Sequence, residues 1–163
     1  MEIEALNARG EVMLPFINEA MVALADVTVR NAAVSKIILQ VAEPYAVLTE
    51  EERSRVPSVF TVLRAIVQLF FSKQDSALGL YGAFGYDLCF QFDPIKFSLK
   101  RPDDQRDLVL FLPDEILVVD HFNAKAWTDR YEFELGGKST EGLTRETRAV
   151  PFKPTETIPG RGD

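Results

Sequence analysis

The chain has 163 residues, 47% of them hydrophobic and 26% charged, and 18 basic against 25 acidic side chains leave a net charge of −7. A chain of this length buries roughly 70% of its unfolded surface, so these values describe one globular domain, or a large piece of one, and exclude a mostly disordered chain. The negative charge argues against a general nucleic-acid binder or a binder of anionic membranes; no apolar run reaches the length of a membrane span, and the acidic start MEIEALNARGE is unlike a signal peptide.

Ile3 to Leu6 is short and strand-like, and Gly10 is expected to break it. Val12, Phe16, Ile17, Ala20, Met21 and Leu24 then recur at helical spacing. Pro15 fits best in a first helical turn, where its missing N–H does no harm, so the first helix is expected over 14–25. Val27 to Val29 and Lys36 to Val41 read as strands, the second with at least one buried face. Thr49 and Glu52 have the form of a capping box for a short helical turn.

Val59, Val62, Leu63, Ile66, Val67 and Phe70 form a helical stripe opposite Thr61, Arg64 and Gln68, which predicts a second helix over 58–72. Leu78 to Phe92 reads as a glycine-rich aromatic strand, with Phe84, Tyr86, Phe90 and Phe92 alternating along one side. Leu108 to Leu112 and Ile116 to Val119 are strands separated by the Pro113-Asp114-Glu115 turn. In the next strand Trp127, Asp129, Tyr131 and Phe133 are expected on a buried face, and Thr128, Arg130, Glu132 and Glu134 on a wet one. Residues 136–163 hold few large apolar side chains and read as a linker or extended arm, distinct from a packed body over 1–135. The pattern is α+β: a mostly antiparallel sheet with two main helices on one face.

Little in this pattern carries chemistry. The single Cys89 excludes an internal disulfide framework and a cysteine-based zinc site, and a reducing, cytoplasmic setting is the default expectation. Gly137-Lys138-Ser139-Thr140 looks like the end of a phosphate-binding loop, but position 132 is Glu where the motif needs Gly, and no helix follows. Gly79, Gly82 and Gly85 lack dinucleotide-loop spacing; strand glycines mark bulges or close approach, here expected from the second helix. His121 is the only histidine, and beside Asp120 alone it lacks the nucleophile a catalytic set needs. Asp103, Asp104 and Asp107 next to Lys100, Arg101 and Arg106 read as a solvated turn, not a metal site. Arg161-Gly162-Asp163 matches an adhesion tripeptide by coincidence.

Residues 79–87, GLYGAFGYD, change the picture. They resemble the glycine-aromatic segment on a central strand in the N-terminal domain of anthranilate synthase component I. Residues 112–121, LPDEILVVDH, resemble that family's next strand pair, and Val59 to Val67 its preceding helix. The resemblance is strongest from about Thr49 to Phe133, and closest to the form fused to a glutamine amidotransferase. It implies tryptophan biosynthesis: a full enzyme, a lyase, that converts chorismate and glutamine-derived ammonia to anthranilate and pyruvate, requires magnesium and is feedback-inhibited by tryptophan. In that family a larger C-terminal domain binds chorismate and magnesium, and the tryptophan site uses motifs absent from these residues. The resemblance therefore implies a piece of the first domain, cut at both sides, with a structural and regulatory role and no activity alone. Its partners would be the chorismate-binding domain and the amidotransferase domain or subunit.

No catalytic, cofactor or metal residue is carried over; Gly82, Gly85, Tyr86 and Asp87 are carried over as fold-motif positions only. The first domain of aminodeoxychorismate synthase, and a non-catalytic binding module, are the alternatives. If the side bearing Phe84, Tyr86, Phe90 and Phe92 is an interdomain face, the isolated chain should self-associate.

Overall fold

A computed structural model describes residues 1–42, 51, 56–91, 98, 100–102 and 105–147. The expected Thr49/Glu52 capping box, Phe92, Asp103, Asp104 and residues 148–163 lie outside them.

The chain opens with β1 (Glu2–Glu4) and α1 (Ala8–Val22). The helix starts earlier than its apolar spacing suggested. Asn7 supplies the cap, accepting a hydrogen bond from Gly10 N at 2.9 Å. Gly10 therefore belongs to the first turn and does not break the chain. A Cβ there would sit 3.0 Å from the Ala5 Cβ, so glycine lets the helix start close against the end of β1. Pro15 falls inside the helix, beyond the first turn, where it removes one backbone hydrogen bond.

β2 (Val27–Ala32) and β3 (Lys36–Val41) follow, and α2 (Val59–Leu69) begins at Ser58. Ser58 and Thr61 form a reciprocal capping box, with Ser58 N donating to Thr61 Oγ1 at 3.1 Å. The three-stranded antiparallel sheet β1-β3-β2 carries α1, which in turn packs on α2. Ala5, Leu14, Ile17, Met21, Val27, Ile37, Leu39, Val62 and Ile66 form the core between them. The α2 stripe read from the sequence supplies Val59, Val62, Leu63 and Ile66 to the buried set.

The second half contains β4 (Tyr81–Phe84), a 3-10 helix (Tyr86–Gln91), β5 (Leu108–Phe111), β6 (Glu115–Asp120), β7 (Lys125–Arg130), β8 (Glu134–Leu135) and β9 (Lys138–Ser139). These pair antiparallel as β4-β5, β6-β7 and β8-β9. The α+β class and antiparallel pairing stand, but one sheet was expected and four separate sheets are found among the described residues. The strand predicted over 78–92 stops at Phe84. Past it the chain coils, and Leu88 N donates to Gly85 O. Phe84, Tyr86 and Phe90 therefore do not alternate along one strand.

Trp127 is 45% exposed, so the buried face predicted for that strand is not closed; of that set only Phe133 is buried. A strand in a two-stranded ladder has no second neighbour to cover it. Two aromatic contacts join α2 to this half: Phe60–Phe84 with centroids 5.9 Å apart and Phe70–Phe133 at 5.5 Å, edge-on. Among the described residues, no helix is long and apolar enough to cross a membrane.

Met21 is fully buried at the centre of the core. Met21→Ala should lower unfolding stability by about 2–5 kcal/mol, read as a lower urea midpoint at unchanged slope.

Candidate functional site

The densest polar cluster is one that no sequence motif announced. Arg9 lies in the first turn of α1 and is 2% exposed. Its Nε donates to Asp114 Oδ2, its Nη1 to Glu132 Oε2 at 2.9 Å and to Thr140 O at 2.6 Å, and its Nη2 to Tyr131 O at 2.7 Å. Arg145 approaches the same carboxylates, with Nη2 2.6 Å from Glu132 Oε1 and Nη1 3.0 Å from Asp114 Oδ2. The Thr140 hydroxyl donates to Glu132 Oε2 at 2.7 Å and accepts from Phe133 N at 2.9 Å. Two cations thus face two carboxylates, and the main-chain carbonyls of Thr140, Tyr131 and Asp114 accept from them as well. Four of the five Arg9 N–H donors are matched in this arrangement, which holds backbone from distant parts of the chain together.

Burial works against the Arg9 charge, but the hydrogen bonds to Glu132 and Asp114 outweigh it and raise its pKa. The Thr140 hydroxyl first, then Arg9 and Arg145, hold the Glu132 carboxyl below its ordinary value despite its partial desolvation.

Several expected sites resolve into structural roles. Gly136 and Gly137 have φ of 54° and 78°, the left-handed pair that a tight two-residue hairpin turn requires. The supposed phosphate loop is therefore the β8–β9 turn, packed where a Cβ on Gly136 would meet the Phe16 ring at 2.9 Å. Thr140 is fully buried beneath it. Residues 136–147 are thus tied to the body through Thr140 and Arg145, across the boundary expected at 135/136.

His121 is exposed in the β6–β7 turn. Its neighbour Asp120 accepts from Phe122 N and Asn123 N, both at 3.0 Å, and from Asn123 Nδ2 at 2.6 Å, which makes it a turn residue.

Of the fold-motif positions, Gly82 sits where β4 presses on β5: a Cβ there would lie 2.0 Å from Val109 O. The close partner is β5 and not the second helix. β4 is exposed along its length and is not flanked on both sides by described strands, unlike the central strand the resemblance implied. Gly85 N donates to Asp107 O at 2.7 Å. Tyr86 is 83% exposed and meets Phe90 edge-on. Asp87 accepts from Gln105 Nε2 at 2.8 Å and lies 3.4 Å from Arg101 Nε, while Arg101 also bonds Asp107. These four positions thus lie at the β4–β5 junction, apart from the Arg9 cluster. Among the described residues, no three His, Cys, Asp or Glu side chains are grouped to hold a metal ion.

Between the two halves lies an open cleft of about 1760 Å³. β1 and β5 form its walls; Leu39, Leu63 and Leu80 line its apolar part, and Arg9, Asp114 and Arg145 one end.

The chain is 49% identical over 154 residues to anthranilate synthase of Azospirillum brasilense, across 94% of its own length. It is related to anthranilate synthase component I. It is also 28% identical over 160 residues to anthranilate synthase component 1 of Vibrio cholerae, and 32% identical over 165 residues to that of Serratia marcescens, across 95% and 98% of this chain. The chain spans only 21% of the Azospirillum protein, 29% of the Vibrio protein and 31% of the Serratia protein. No family model matches it. The resemblance carried by GLYGAFGYD and LPDEILVVDH thus extends over nearly the whole chain, Arg9 and Arg145 included in its span.

Arg9→Ala should cost about 2–3 kcal/mol, since it removes the buried donor to the Thr140 and Tyr131 carbonyls while Arg145 still pairs with both carboxylates; chemical denaturation measures it. The pH dependence has a definite sign. Glu132 has a lowered folded pKa, so its contribution is present above the ordinary carboxylate value and is lost as pH falls through the folded value. Thermal unfolding should therefore lose stability below about pH 4, and Glu132→Gln should flatten that loss.

Proposed function

We propose that these residues form part of the first domain of an anthranilate synthase component I, in a longer protein that converts chorismate and glutamine-derived ammonia to anthranilate and pyruvate in the cytoplasm. The carrying observation is the 49% identity over 94% of the chain. The match is a far smaller share of the Azospirillum protein than of the Serratia protein, so the Azospirillum protein is much the longer. That supports the fused form, in which synthase and amidotransferase share one polypeptide.

Within this reading the role of the chain is to support a catalytic domain and to contribute to its regulation by tryptophan. The Arg9 cluster suits support: four of the five Arg9 N–H donors are spent on carboxylates and main-chain carbonyls, which fixes geometry. Chorismate, magnesium and glutamine would be handled by the chorismate-binding and amidotransferase parts of the longer protein.

The test is anthranilate fluorescence with chorismate, magnesium and an ammonium salt. The 163-residue chain should give no product, and the same residues joined to a chorismate-binding domain should give product that tryptophan suppresses. Turnover by the chain alone, or a joined protein that uses chorismate without forming anthranilate, would refute the proposal.

A further inference from the structure

The cleft is bounded by two strand edges whose backbone hydrogen-bonding groups point into it. On β1, Met1 and Leu39 exchange both backbone bonds at 2.9 Å, and Ala5 N donates to Ser35 O at 2.8 Å. In an antiparallel pair such residues alternate with residues that face away. Glu2 and Glu4 therefore turn their N–H and C=O groups from β3 toward the cleft. On β5, the bond from Gly85 N to Asp107 O sets the same alternation against β4. Leu108 and Leu110 turn their backbone groups away from β4, again toward the cleft. Among the described residues, no strand pairs with either edge.

The two walls run in the same sense. Arg9, just past β1, bonds Asp114, just past β5. At the other end, Glu2 is held below its ordinary pKa chiefly by Lys36, but the charge of Arg106 also reaches it, and Arg106 reaches Lys36 as well. Residues 2 to 9 and 106 to 114 therefore face each other end for end. In a fully antiparallel sheet, two strands that run in the same sense are separated by one strand running opposite to both.

We infer that the cleft is the seat of one extended segment that pairs antiparallel with both β1 and β5 and joins the separate ladders into a sheet of order β2-β3-β1-segment-β5-β4. This rests on the reading that the chain belongs to a longer polypeptide. The segment comes from the part of that polypeptide outside these residues: the relatives are three to five times longer than the match. A cleft of about 1760 Å³ exceeds the roughly 300–1,000 Å³ typical of small-molecule pockets. The chemistry of the segment follows from the pleat. On the face shared with Ile3, which packs on the core, it presents apolar side chains. On the opposite face, which carries Glu2 and Glu4, basic or hydroxyl side chains fit best across the strand.

The test uses hydrogen–deuterium exchange of the 163-residue chain with 15-residue peptides tiled along the rest of the Azospirillum brasilense anthranilate synthase. One peptide should slow exchange in residues 1–6 and 106–112 together, by about tenfold or more. Leu110→Pro removes an N–H aimed at the cleft and spares the β4 ladder; it should abolish the effect, as should Glu4→Pro on the opposite wall, with circular dichroism confirming that each variant is folded. Protection of one wall alone, no response to any peptide, or edges already protected in the free chain would overturn the inference. So would protection that grows with protein concentration and no peptide, which would assign the cleft to a second copy. None of these outcomes depends on chorismate turnover, so the inference can fail while the proposed function stands.

Discussion

A guanidinium group removed from water has few ways to be stable, and the rest of this structure follows from the one it uses. Arg9 is 2% exposed. Burying a cation costs several kcal/mol unless it is paired and fully hydrogen-bonded. Here the partners are Asp114, Glu132, Tyr131 O and Thr140 O, all distant from residue 9 in sequence. The charge is satisfied only when the first helix, the Pro113-Asp114 turn, the end of the β6–β7 hairpin and the β8–β9 hairpin are together. Two-stranded sheets are marginal alone in water, and three of the four sheets among the described residues have two strands. The Arg9 cluster, the aromatic contacts of Phe60 and Phe70, and the Phe16 ring against the β8–β9 turn tie them to the helical half.

This construction suits a supporting role. The polar network is closed on itself, and the oxygen and nitrogen atoms at its centre are committed to one another. Its effect is to set the spacing of β1 and β5 at one end of the cleft, where Arg9, Asp114 and Arg145 form the floor. Geometry that is fixed by a buried ion cluster at one end and open along two strand edges is suited to receiving another part of a protein.

Much of the helical half was legible in the sequence, because each element there carries its own period. The α2 stripe and the Lys36–Val41 strand appear where the spacing put them. The start of α1 is hidden in the sequence because Gly10 signals a break unless Asn7 is recognised as the cap. The β-rich half was less legible. Tyr86 and Phe90 match a strand period, yet backbone contact between Gly85 and Asp107 turns the chain into a 3-10 helix, and that contact is long-range. The Arg9 cluster was invisible for the same reason: Arg9, Asp114, Glu132, Thr140 and Arg145 look like ordinary surface residues until the fold collects them. The strand alternation places Glu132 on a wet face, where it is indeed half exposed, and composition places Arg145 in a trailing arm. The family likeness is carried by short strings such as GLYGAFGYD, in which Gly82 and Gly85 record close backbone approach.

The claim that Arg9 holds the two halves together is tested most directly by a double-mutant cycle between Arg9→Met and Asp114→Asn, measured by urea unfolding. If the cluster is the clasp, the two losses should be strongly non-additive, with a coupling of about 1–3 kcal/mol. Losses that simply add would mean that Arg9 and Asp114 act independently and that packing alone joins the halves.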